Sequence, residues 1–190
     1  MLKIYANLLF LVFTIASSIS VAQYCTPTFT TGCSSGDQIV NFSTTGGATN
    51  ISNLGSGCSA GNYSFISGQS VTQIQGLDVT LNMQAGPTWT QGFKVWIDWN
   101  NNNSFADAGE LVYTSPGANI TMNSGVVTVP FSASPGTKRM RVVCNYFAVP
   151  TTNDGCPLNQ SFGECEDYNF IVLAAVPCSG IPIAGTAESS

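Results

Sequence analysis

From Gln23 onward the chain alternates apolar and polar residues with a period of two, in short runs divided by clusters of Gly, Ser, Asn and Thr. That period puts successive side chains on opposite faces of a strand. No stretch carries a helical period of useful length, so the sequence predicts an all-β fold. Strands are expected near residues 38–43, 49–54, 63–66, 77–83, 92–99, 110–114, 125–131, 137–147 and 168–173. In the fifth of these, Phe93, Val95, Ile97 and Trp99 form one row against Lys94, Trp96 and Asp98, which leaves Trp96 half exposed or covered by a second layer. In the strand 137–147, Arg139, Arg141 and Val143 share a face that begins polar and ends apolar, as in a strand passing from solvent into a core. Short strands with turns between them favour a two-sheet antiparallel β-sandwich, jelly-roll or immunoglobulin-like, over a barrel.

Residues 1–22 break the pattern. One early lysine, Lys3, precedes an apolar run from Leu8 to Ile15, and Ser20-Val21-Ala22 ends with small residues where a signal peptidase reads. This is an export signal with cleavage expected after Ala22. No later segment is long and apolar enough to span a bilayer, so no membrane span is expected in the mature chain.

Charge narrows the partners. Of five basic residues Lys3 lies in the leader, against ten acids. Lys94, Lys138, Arg139 and Arg141 cannot neutralise a run of phosphates, so nucleic acid is not an expected partner. Seven cysteines in an exported chain indicate a disulfide framework with one thiol left over. The leftover is expected to be Cys178, in a Pro- and Gly-bounded tail.

The segment from Asp98 to Glu110 gathers oxygen-bearing side chains at alternate positions and ends in a carboxylate. Calcium takes six to eight oxygen ligands on a tightly turned backbone. Asp98, Asn100, Asn102 and Ser104 fit the contact positions of a D-x-N-x-N loop, with Glu110 to close it and Asp107 as a further ligand. Asn103 stands where glycine usually turns such a loop, and Asn tolerates the left-handed conformation it needs. The neutral ligands predict a weak or structural Ca²⁺ site. The plain alternative is an Asn-rich hairpin loop.

Two stretches, Val95-Trp-Ile-Asp-Trp-Asn100 with Phe105-Ala-Asp-Ala-Gly-Glu110, and Gly163-Glu-Cys-Glu-Asp-Tyr168 after Thr137-Lys-Arg-Met-Arg-Val142, resemble the GEVED domain. The resemblance spans roughly 89–173. It implies a non-catalytic module of large secreted or surface proteins of bacteria, found beside other modules. Residues 1–22 are then the leader, 23–88 the N-terminal part of the sandwich region, 89–174 the GEVED-like domain, and 175–190 a linker or the start of a following module. Cys165 replaces the motif valine, and Asn102-Asn103 stand where relatives usually show Asp-Gly.

Cys144 and Cys165 lie on flanking strands that can pair as a wide hairpin around the loop-like 148–162, which predicts a Cys144–Cys165 disulfide. The alternative is a local Cys156–Cys165 clip. For Glu164, Glu166 and Asp167 two roles stay open: cross-strand pairing with Arg139 and Arg141, or cation ligation.

With no histidine, Ser-His-Asp triads, Cys-His dyads and H-E-x-x-H zinc sites are excluded. Carboxylate-only glycosidase chemistry would need an apolar pocket to raise a pKa, and these acids lie in turn-like segments. The chain is therefore read as no enzyme. It is read as a secreted or cell-surface, calcium-assisted module for adhesion, spacing or targeting, whose partners are other modules of the same polypeptide and an extracellular polysaccharide or surface protein. The alternative is a carbohydrate-binding accessory module of a larger secreted enzyme. Trp89, in a loop after Gly86-Pro87-Thr88, is the candidate sugar-stacking residue, although a loop tryptophan more often covers a core.

Overall fold

The computed structural model describes residues 23–176; the expected leader, its cleavage after Ala22 and Cys178 lie outside that range. The eleven strands are β1 (Phe29–Gly32), β2 (Ile39–Thr45), β3 (Ser52–Leu54), β4 (Tyr63–Ile74), β5 (Asp78–Ala85), β6 (Gln91–Ile97), β7 (Leu111–Thr114), β8 (Asn123–Thr128), β9 (Gly136–Tyr146), β10 (Gln160–Phe162) and β11 (Cys165–Leu173). They form a five-stranded sheet in the order β4-β11-β9-β6-β7, a four-stranded sheet β3-β2-β5-β8, and a two-stranded pair β1-β10. No described helix is long and apolar enough to cross a membrane.

The two large sheets face each other across one core. Phe42, Leu81 and Met83 from the four-stranded sheet meet Phe93, Val95, Ile97, Met140, Val142, Tyr168 and Phe170 from the five-stranded sheet. In β5 burial alternates strictly, as a half-covered strand should. In β6 every residue is buried, because its outer face is covered too. There Trp96, Phe105, Val143 and Cys165 make a second, smaller core, with Tyr24, Phe29 and Tyr63 packed against it. Trp96 is thus under the second layer, and its indole N–H donates to the Asn153 carbonyl at 3.2 Å.

The sandwich is not wholly antiparallel. β4 runs parallel to β11, and β1 parallel to β10. Both pairs join distant parts of the chain, as parallel neighbours require a long crossover. β4 also extends well past the expected residue 66, with a bulge between Asp167 and Asn169 on its partner.

The predicted Cys144–Cys165 disulfide is not formed; both cysteines are buried thiols. The β9–β11 hairpin does form, but Cys165 stands opposite Val143. Residues one position out of register point to opposite faces, so Cys144 joins the main core and Cys165 the outer one. The alternative clip is not formed either. Cys156 bonds Cys25 across 131 residues, and Cys33 bonds Cys58.

Candidate functional site

The Asp98–Glu110 segment joins β6 to β7. Its ends are pinned by backbone bonds: Ile97 N–H donates to Glu110 O at 2.8 Å, and Asp98 N–H to Arg139 O at 3.0 Å. Within it, each short polar side chain accepts from the amide two residues on: Asn102 N–H to Asn100 Oδ1 at 3.0 Å, Ser104 N–H to Asn102 Oδ1 at 2.9 Å, and Ala106 N–H to Ser104 Oγ at 3.1 Å. Such local bonds hold a turned backbone without sheet or helix partners. Asn101 and Asn103 both take the left-handed conformation, at φ 59° and 65°.

Asp98 is at the centre. It is 0% exposed, and its carboxylate accepts from the Asn102 and Asn103 amides at 3.3 and 2.9 Å and from the Tyr24 hydroxyl at 2.6 Å. Glu110 is 2% exposed and accepts from Trp99 N–H at 3.2 Å and Asp107 N–H at 3.4 Å. Burial, then the charge of Asp98, pushes its carboxyl above the usual glutamate range. Neither acid has a cationic side chain within ion-pair distance among the described residues, whose ion pairs both involve Asp167. Asp107 is exposed, and its Oδ2 accepts from the side-chain amides of Asn100 and Asn102 at 3.0 and 2.6 Å.

The structure therefore brings Asp98, Asn100, Asn102, Ser104, Asp107 and Glu110 into one loop. Beside it lies a hollow of about 380 Å³ bordered by Trp99, Asn100, Asp107 and Glu110. The buried Trp99 indole N–H has no partner there. No group of three or more Cys, Asp or Glu side chains is placed to hold a metal among the described residues. A hard cation in this loop would draw on amide, hydroxyl and backbone oxygens beside the loop's carboxylates, the donor set of weak calcium sites. In the present arrangement the Asn100 and Asn102 side chains turn their NH₂ groups, not their oxygens, toward Asp107.

The motif acids are engaged elsewhere. Asp167 on β11 binds Arg141 by two parallel bonds, Nε to Oδ1 at 2.7 Å and Nη2 to Oδ2 at 2.8 Å. It also accepts from Arg139 Nη1 at 3.2 Å and from the Tyr63 hydroxyl at 2.8 Å. Cross-strand pairing is thus its role. Glu164 and Glu166 face the other way. Glu164 accepts from the Ile39 and Ser59 amides at 3.0 and 2.6 Å, and Glu166 accepts from the Tyr168 hydroxyl at 2.6 Å and Asn53 Nδ2 at 3.3 Å. Burial pushes the Glu166 carboxyl up to about 7, with the Glu164 charge adding to the rise. Gly163 opens the motif at φ 116°, where a Cβ would lie 2.2 Å from the Cys144 carbonyl oxygen, so only glycine lets β11 start this close to β9.

Tyr24 is a participant that sequence reasoning missed. Its ring stacks on Phe105 at 5.1 Å, the Arg139 guanidinium lies over it, and its hydroxyl reaches Asp98. The neighbouring Cys25–Cys156 disulfide holds this strap in place. Trp89 is 41% exposed; its indole N–H donates to Ser35 O at 2.9 Å, and its ring packs edge-on against Tyr146.

Residues 92–171 match the GEVED domain family. No curated protein is significantly similar to the chain. Among solved structures, a family 123 glycoside hydrolase from Clostridium perfringens aligns with a TM-score of 0.29 at 12% identity, over 60% of this chain and 23% of that one. A likeness that slight bears on neither activity nor ligand.

Proposed function

We propose that this chain, whose residues 92–171 are a GEVED domain, is a non-catalytic, calcium-assisted module of a larger secreted or cell-surface protein, serving adhesion, spacing or targeting. The observation that carries the calcium reading is the pair Asp98 and Glu110, buried acids at the two ends of one Asn-rich loop, with no cationic side chain within ion-pair distance of either among the described residues. Buried charges are paired or coordinate metals. An extracellular setting is supported by two disulfides that close the N-terminal segment onto the loops of the sandwich and onto itself. Aromatic residues gathered around Tyr146, Trp89 among them, favour targeting to a polysaccharide as the form this role takes.

When bound, Ca²⁺ would supply positive charge between Asp98 and Glu110. Asp98 and Glu110 would hold it, with oxygens from Asn100, Asn102, Ser104 and Asp107. Affinity is expected at roughly 10⁻⁴ to 10⁻³ M, the range of extracellular calcium modules. At 10 mM calcium that corresponds to about 1.5–3 kcal/mol of stabilisation, and a rise in melting temperature of about 3–10 °C. Calorimetric titration and thermal melts test this on the wild type and on Asp98→Asn and Glu110→Gln. No heat and no melting shift at millimolar calcium would remove the metal.

A further inference from the structure

A surface groove lies away from the Asp98–Glu110 hollow. It encloses about 500 Å³ between the end of β9 and the segment leading into β10. Asn145, Thr151, Thr152, Asn159, Gln160 and Ser161 line it, with the exposed Leu158. No charged side chain is among its walls. Thr152 donates its hydroxyl to Asp154 at 2.5 Å, and the Gln160 amide is used on Cys144 O and Phe162 O at 2.8 and 2.7 Å. The side chains of Asn145, Thr151, Asn159 and Ser161 have no hydrogen-bond partner among the described residues, so amide and hydroxyl donors and acceptors stand free in one concavity.

Aromatic rings stand on the next residues of the same two segments, none of them in the groove wall itself. Asn145 leads into Tyr146 and Phe147, and Ser161 into Phe162. Tyr146 is the hub, with ring centroids 5.7 Å from Trp89, 5.8 Å from Phe147 and 5.5 Å from Phe162. Phe147 is 75% exposed and sits in the left-handed region at φ 57°, which is costly for a bulky residue. The surroundings enforce it. Phe147 N–H donates to Thr90 O at 2.9 Å, and the chain just beyond packs so tightly on Gly92 that a Cβ there would lie 2.6 Å from Ala148 O. A strained backbone that holds a large ring in water gains nothing from burial, so its use lies outside the fold.

We propose that this groove, together with the exposed Phe147 ring two residues beyond Asn145, binds a neutral glycan, a short run of an uncharged polysaccharide. Sugar hydroxyls are both donors and acceptors and match the free amides and hydroxyls, while the C–H faces of pyranose rings stack on exposed aromatic rings. A polyanion would meet no cation in the groove walls. The proposal rests on the targeting form of the module's role and is independent of calcium.

The test is affinity electrophoresis, with calorimetry on any positive, of the mature disulfide-bonded protein against soluble β-glucan, xylan, mannan and starch, with alginate and heparin as polyanions. Phe147→Gly removes the ring and suits the positive φ, so it keeps or raises the melting temperature. Asn145→Ala and Ser161→Ala remove groove partners at exposed or half-buried positions. Expected are retardation by at least one neutral polysaccharide, none by the polyanions, and a tenfold or greater loss of affinity in Phe147→Gly and in the Asn145→Ala, Ser161→Ala double variant. Neutral-glycan binding that these variants leave unchanged would overturn the site while leaving glycan targeting in place. Binding to polyanions alone, or to no polysaccharide by folded protein, would overturn both.

Discussion

Asp167→Ala removes one carboxylate that four donors share: Arg141 Nε and Nη2, Arg139 Nη1 and the Tyr63 hydroxyl. Arg141 and Asp167 are both fully buried. Without its partner the Arg141 guanidinium would keep the carbonyls of Cys25 and Gly155, at 3.2 and 2.9 Å, and the Cys25 sulfur at 3.3 Å, and a buried cation held by neutral acceptors alone is costly. Breaking a buried ion pair from one side costs about 3–5 kcal/mol, a large share of the roughly 5–15 kcal/mol that holds a domain together. For a chain of this size that is a fall of about 6–20 °C in melting temperature. Urea unfolding measures it, with an unchanged slope showing that the folded state is otherwise intact. Arg139→Gln is the control. That arginine is 20% exposed and contributes the weaker bond, so its loss is expected to cost about 1 kcal/mol or less. The double variant Asp167→Leu, Arg141→Met should recover much of the loss, because removing both charges leaves none unpaired. If Asp167→Ala costs less than about 1 kcal/mol, the outer core is not organised around this pair.

Further outcomes follow from the buried cysteines and acids. Native protein should resist alkylation at Cys144 and Cys165, whose thiols burial pushes well up; unfolding without reductant should expose both, and peptide mapping should recover Cys25–Cys156 and Cys33–Cys58. A Cys144–Cys165 peptide would contradict the register of β9 and β11. Cys25→Ser with Cys156→Ser should cost roughly 2–5 kcal/mol and loosen the Tyr24 contact with Asp98, read as faster amide exchange at Asn102 and Asn103. Glu166 is raised from 4.5 to about 7, so the folded state holds its proton where the unfolded chain has lost it. Stability should therefore fall by up to about 3 kcal/mol as pH rises from about 4.5 through 7. Glu164 and Glu110 are raised too and act in the same direction. Glu166→Gln should flatten the slope, and a stability that rises over that range would refute the burial argument.

Strands whose residues alternate cleanly were legible from the sequence, and those that do not were not. β5, β6, β9 and β11 carry strong period-two patterns and lie where the pattern puts them. β1 and β10 span four and three residues, too short to show a period, and they exist because the Cys25–Cys156 bond brings their neighbourhoods together. β4 is half exposed along much of its length, so Ser67, Gly68 and Ser70 hide its second half as a loop. The Asn-rich loop was legible because its bonds are local. Tyr24 was not, being 74 residues from Asp98. The disulfide failed on a single residue of register: hairpin and strands were right, yet Cys165 faces Val143 and not Cys144.

The same parity explains what the Gly-Glu-Cys-Glu-Asp motif does. Glu164 and Glu166 point to one side of β11 and clamp the N-terminal region: Glu164 holds the amides of Ile39 and Ser59, and Glu166 reaches Asn53 on β3. Cys165 and Asp167 point to the other side and organise the outer core, where Asp167 orders Arg141, and Arg141 in turn holds Cys25 O and Gly155 O. One short strand start thus ties both faces of the five-stranded sheet to segments far away in sequence. Acids suit this task better than apolar residues, since a carboxylate can accept from two backbone amides at once, as Glu164 does, and so ties together segments that share no ladder. The valine usual at the centre of the motif needs only to fill space in the outer core. A cysteine does that equally well, being a small buried hydrophobe, which is why Cys165 requires no disulfide to be accommodated.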